Sequence, residues 1–182
     1  MKTKLFSFFV ALTIFAPTAY AIGTTAYENS VLGVKMDYPQ DWEKKEEMQG
    51  SVVAFVSPRA GKDDQFAENV NLMTEILPAA SSVTLEQYTE ATLVNLKKVM
   101  KDQTTIDSGS ATLAGLPAYE IVHTGTHEGF TYKTLQIWTL KNNKAYLFTY
   151  MAGMDGYDQY LKDAEGIFKS FEIVSPAATS GV

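Results

Sequence analysis

The chain contains no cysteine. That absence removes disulfide staples, a thiol nucleophile and thiolate metal ligands at one stroke. It also excludes the lipid anchor of bacterial lipoproteins, which is carried on an N-terminal cysteine. Histidine is nearly absent as well: only His123 and His127 occur, so an imidazole-dependent triad has to use one of them. A serine nucleophile elbow needs G-x-S-x-G, and Gly109-Ser110-Ala111 does not supply it. Ala60–Asp64 (AGKDD) ends like a phosphate-binding loop but lacks the upstream glycine and the Ser/Thr after Lys62. These gaps lead to the expectation that the protein is not an enzyme.

Long hydrophobic runs are missing too, with one short exception at the start. Lys2 and Lys4 precede an apolar stretch from Leu5 to Ala16, broken at Pro17 and followed by Ala19-Tyr20-Ala21. About 12 apolar residues are too few for a bilayer span, which takes ~20. The charged start, short apolar run and small residues at two spaced positions instead read as a secretory signal peptide, cleaved after Ala21. The expected product is exported, periplasmic or extracellular, and carries no membrane span. Removal of the leader leaves thirteen basic against twenty-one acidic residues. A net negative, unclustered surface repels nucleic acid and anionic membrane faces. Residues 22–174 are long enough to bury a core without staples and are expected to form one domain that acts as a monomer. Residues 175–182 (SPAATSGV) offer nothing to bury and are expected to be disordered.

What is plentiful is strand-forming sequence. Thr112–Met151 holds the densest β-branched and aromatic content, and reads as three consecutive strands. The first turn is placed at Gly125–Gly129. The second is Asn142-Asn143, a pair that tolerates the positive φ of a two-residue hairpin loop. Upstream, Ile22–Ala26 reads as a linker, and Tyr27–Asn29 and Val34–Tyr38 as a strand pair. Trp42 follows in a turn that swings its indole back to the sheet, and residues 43–50 (EKKEEMQG) read as a solvated segment. Ser51–Ser57 and Asn69–Leu77 are further strands.

Thr84 with Gln87 forms a capping box ahead of a helix to about Lys101. Thr104–Leu113 reads as a strand with a bulge at Ser108–Ser110. A second helix, from about Tyr157 to Phe171, places Tyr157, Tyr160, Leu161, Ala164, Phe168 and Phe171 on one stripe. Glu172–Val174 adds an edge strand. The fold class expected is α+β: an α/β/α sandwich whose central antiparallel sheet, of about six strands or more, is covered by two main helices.

Candidate ligating groups are sparse. His123 and His127, with Glu128 adjacent, flank the expected hairpin turn and are candidates for a zinc-like ion, although a structural site normally takes four ligands. Asp63, Asp64 and Glu68, and separately Asp155 and Asp158, are oxygen donors for a weak calcium site, without EF-hand spacing. The plainer alternative is surface acids in an acidic protein. Trp138, Tyr146, Phe148, Tyr150, Tyr119 and Tyr132 line up either as cross-strand core pairs or as a binding groove; in a covered sheet the core reading carries more weight.

The order of motifs is itself informative. Tyr38–Trp42 (YPQDW), Val52–Pro58 (VVAFVSP), Phe66–Leu77 (FAENVNLMTEIL), Thr84–Tyr88 (TLEQY), Leu113–Ile121 (LAGLPAYEI), Gln136–Ala152 and Tyr160–Ile173 follow one another. This succession resembles the PsbP family, the extrinsic proteins of the photosystem II oxygen-evolving complex and their bacterial relatives. The resemblance implies an α/β/α sandwich shared with Ran-binding Mog-type and DcrB-type proteins. It implies a non-catalytic domain docked on a protein partner such as a membrane complex, in the thylakoid lumen where the host is photosynthetic, with a part in calcium and chloride retention. No metal ligand of the family matches residue by residue. The alternative reading is a periplasmic small-ligand or metal-binding domain built on the His123/His127 turn.

Overall fold

The computed structural model describes residues 23–174, apart from 48, 49, 60, 63, 65, 79–81 and 128. The leader, the C-terminal tail, Asp63 and Glu128 therefore lie outside the described residues. Ten strands and two helices follow in the order β1 (Thr24–Asn29), β2 (Val34–Pro39), β3 (Glu43–Glu46), β4 (Val53–Val56), β5 (Asn69–Ile76), α1 (Leu85–Val99), β6 (Lys101–Leu113), β7 (Leu116–His127), β8 (Phe130–Lys141), β9 (Lys144–Gly153), α2 (Tyr157–Ser170) and β10 (Glu172–Ile173). They form a seven-stranded sheet, β3-β4-β5-β9-β8-β7-β6, and a three-stranded sheet, β1-β2-β10. All pairings are antiparallel.

The β6–β9 meander is set by its turns. Asn142 and Asn143 both take positive φ (53° and 57°), as a two-residue hairpin loop between right-twisted strands requires. Ala114 and Gly115 do the same at the β6–β7 turn. β9 returns to pair with β5 over its whole length, from Asn69↔Met151 to Ile76↔Lys144. Helix α1 thus has to cross the face of the meander to carry the chain from β5 to the far edge at β6.

Register assigns the two faces, because alternate residues point opposite ways. Leu72, Val70, Phe148, Tyr150, Ile137 and Leu135 share the face covered by α2 and the small sheet. Phe148 meets Phe168 and Phe171 of the α2 end, with ring centroids 5.1 and 4.9 Å apart. Tyr38 of β2 stacks on Phe55 at 4.4 Å, and Trp42 meets Tyr160 edge-on. The α2 stripe read from sequence is the buried one, with Ile167 added. The opposite face carries Tyr119, Ile121, Trp138 and Leu147 under α1. There the indole of Trp138 donates to Thr89 of α1 at 2.9 Å. Thr84 and Gln87 close the capping box, with bonds of 3.3 and 3.0 Å. Tyr88 donates to Glu75 of β5, and burial together with that carboxylate pushes its phenol up to about 12.

Three local expectations change, and the edge strand expected at Glu172–Val174 forms as β10 in the small sheet. Residues 43–46 form the edge strand β3, held by the pairing Glu43↔Val56 to Glu46↔Val53 and studded with Lys and Glu, a composition that blunts an exposed edge. β1 begins at Thr24, inside the expected linker. The irregularities of β6 lie between Lys101 and Thr104 and between Thr105 and Asp107, where Asp102 takes positive φ; Ser108–Ser110 is regular ladder. β10 pairs with β2 in the separate small sheet, fastened by Lys35–Glu172 at 3.0 Å.

Candidate functional site

Beside α1, the same face of the sheet carries a groove. There the floor is built from β5, β9, β8 and β7, and the C-terminal half of α1 forms one wall. The resulting groove has a volume of about 530 Å3, within the range of small-molecule sites. Its wall is apolar, from Leu96, Val99 and Met100. Phe66 and Tyr132, with ring centroids 4.9 Å apart, stand on the other side. Met73 and Met151 add flexible thioethers, side chains that adapt to irregular shapes.

The floor between these walls is polar. His123 on β7, Gln136 on β8 and Thr149 on β9 form a chain across three strands. His123 Nε2 lies 3.3 Å from Gln136 Oε1, and the Gln136 amide donates to Thr149 Oγ1 at 3.0 Å. His123 and Thr134 are direct cross-strand partners, each only 1% exposed. Their remaining polar atoms, His123 Nδ1 and Thr134 Oγ1, have no hydrogen-bond partner, and they are the two buried side-chain atoms of that kind among the described residues. Leaving such an atom unpaired costs about 1–3 kcal/mol, so a floor carrying two of them side by side is built at the expense of stability. Burial holds the His123 imidazole below its ordinary value, against the weaker opposing pull of Gln136 and the Thr124 backbone. Burial therefore favours the neutral ring. No Lys, Arg, Asp or Glu lines the groove among the described residues.

Met100 closes the inner end. A methyl added at Gly125 would stand 3.0 Å from its terminal carbon, so a larger residue there would press on Met100. Gly125 sits midway between His123 and His127 on the same strand face, so Met100 separates the two imidazoles.

That placement corrects the expected turn. β7 runs through His127, so both histidines precede the hairpin bend rather than flank it. Four residues of extended strand set them about 13 Å apart, and the two rings do not meet at one point. Glu128 lies outside the described residues. The oxygen-donor candidates are also dispersed. Glu68 is buried, accepts from Ser57 at 3.3 Å and packs against Gly156 at the start of α2. Asp64 accepts from the Phe66 amide. Asp158 pairs loosely with Lys133 at 3.7 Å. No group of three or more ligating side chains converges among the described residues. The aromatics divide as the core reading expects: Trp138, Tyr146, Phe148 and Tyr150 are buried, and Tyr132 lines the groove. Sequence reasoning missed Thr134, Gln136 and Thr149. The signal available was three polar residues alternating with apolar ones on the inner strands of a sheet.

Comparison with known proteins adds the frame. The profile of the family described as PsbP-like protein matches residues 18–173. A search of curated proteins finds no match. Among solved structures, the cyanobacterial PsbP (CyanoP) of Synechocystis sp. PCC 6803 is similar at 15% identity, with a TM-score of 0.60, over 87% of this chain and 96% of that one. LpqN, involved in cell envelope biogenesis of Mycobacterium tuberculosis, is similar at 14% identity and 0.61, over 84% and 91%. The Ran-binding protein Mog1p of Saccharomyces cerevisiae is similar at 8% and 0.55, over 85% and 97%. At these identities the likeness is one of fold.

Proposed function

The chain belongs to the PsbP-like family, and from that premise we propose that it is an exported, non-catalytic binding domain whose binding site is the groove beside α1. The observation that carries the reading is the pair of buried, unpartnered atoms on His123 and Thr134 in the groove floor. Groups left unpaired in an otherwise well-satisfied interior call for a partner, and a ligand seated in the groove would supply it. A non-catalytic role is supported by the missing cysteine, by two histidines held apart on one strand, and by the lack of converging ionisable groups among the described residues. Export is supported by the leader pattern at residues 1–21.

The test is fluorescence titration of the mature chain with N-phenyl-1-naphthylamine, an uncharged dye that brightens in apolar surroundings. A saturable rise is expected, abolished when Thr149→Trp fills the floor and kept by Met154→Ala outside the groove. Equal rises in both variants place the dye elsewhere and overturn the reading.

A second reading is docking onto a protein partner in an envelope or photosynthetic membrane complex. It draws support from the family and from the Ran-binding neighbour. Co-purification from native membranes, with and without high salt, tests it; a partner-free monomer under both conditions counts against it.

A further inference from the structure

The chemistry of the floor narrows what the groove takes. We infer that its ligand is an uncharged amphipathic molecule, with a hydroxyl or amide head seated between His123 Nδ1 and Thr134 Oγ1 and an apolar chain or ring laid against α1. This inference rests on the groove being the binding site.

Three observations carry it. First, the two orphaned atoms belong to direct cross-strand partners, so a single small head group reaches both. One ring nitrogen of neutral His123 donates and the other accepts, so Nδ1 takes one role according to the tautomer, while the Thr134 hydroxyl both donates and accepts. A head that also donates and accepts, as hydroxyls and amides do, satisfies both. Second, the ionisable side chains lining the groove among the described residues are the His123 and His127 imidazoles and the Tyr132 phenol, with no Lys, Arg, Asp or Glu, so a carboxylate or ammonium head would be buried without a fixed counter-charge, which is costly. The depressed basicity of His123 keeps the ring from supplying one at neutral pH. Third, the wall beside this seat is hydrocarbon and thioether, from Leu96, Val99 and Met100 of α1 with Met151. Four strands at ~4.8 Å spacing make the floor about 14 Å across, enough for a medium-length chain. The orphaned atoms themselves have almost no exposure, so entry of a head group takes a side-chain movement, which the unbranched thioethers lining the groove allow.

The experiment is calorimetric titration of the mature protein at pH 7.5 with four octyl compounds that differ only at the head: 1-octanol, octanamide, octanoate and octylamine. Octanamide and octanol are expected to bind at least about tenfold tighter than either charged compound. The Thr134→Val variant, nearly isosteric, should weaken octanamide about fivefold and leave the charged compounds unchanged. His123 ring nitrogens give an independent readout: in His127→Ala protein the mature chain has one imidazole, and its Nδ1 resonance should shift on octanamide binding. If all four compounds bind alike, or the charged ones bind tighter, the ligand class is wrong while the groove reading stands. If none binds, the groove reading itself fails.

Discussion

The two faces of the seven-stranded sheet are made by the same strands, yet they are finished differently. The α2 face is closed by a helix and a second sheet; its side chains are largely aromatic and aliphatic, and among the described residues its buried polar side-chain atoms have partners. Thr139, fully buried, donates to the Pro117 carbonyl at 2.7 Å, and Tyr150 donates to the Tyr157 carbonyl at 2.8 Å. The α1 face is covered by one helix alone, and past its edge the strands present His123, Thr134, Gln136 and Thr149, with two atoms unpaired. The larger core cluster lies on the α2 side, and the α1 side combines a smaller cluster with a polar floor. Such a division is what a binding domain requires: a rigid sheet holding a site whose own groups are not consumed by the fold.

The contrast is breakable by mutation. The largest effect belongs to the closed face: Phe148→Ala, which empties a site between Phe168 and Phe171, should cost about 3–5 kcal/mol in urea unfolding. Next comes Gly156→Ala. The added methyl would run into the Glu68 carboxylate, and overpacking of this kind costs about 1–3 kcal/mol. Gly166→Ala, in open space on the same helix, should instead stabilise by about 0.5–1 kcal/mol.

A sharper pair lies on β8 itself. Thr139→Val strands the Pro117 carbonyl and should cost about 1–2 kcal/mol, whereas Thr134→Val removes an unpaired hydroxyl and should be neutral or stabilising. Equal costs at the two threonines would mean that both faces are satisfied alike.

The smallest effect is that of His123 on pH dependence. Its folded value is depressed below the unfolded ~6.5, so the unfolded chain binds the proton more readily. The stability tied to the neutral ring is complete above pH ~6.5 and is lost as pH falls through the folded value. Ring-proton NMR titration locates that value; a normal or raised one contradicts the burial argument.

Much of this architecture was legible from local pattern. The Asn142-Asn143 turn, the Thr84 capping box and the α2 stripe each depend on residues within a few positions of one another, and each formed as expected. What escaped depends on distance in sequence. The Trp138–Thr89 bond spans 49 residues, the Glu68 carboxylate meets Gly156 only once β5 and β9 are paired, and β10 joins β2 in a sheet of its own. The histidines fall elsewhere than expected for a related reason: β7 runs on to His127, which pairs with Phe130 at the start of β8, so both imidazoles sit within one strand. The groove was illegible because it is made by what α1 fails to cover, and no local pattern encodes the path of a crossover.

Methyl NMR of the methionines during an octanamide titration puts the division of faces to the most direct test. Met73, Met100 and Met151 line the groove, while Met36 is buried in the core beneath the small sheet. The account predicts saturable shifts of the three groove methyls with one affinity and a stationary Met36. Shifts at Met36, or no response at the groove methyls, would contradict it.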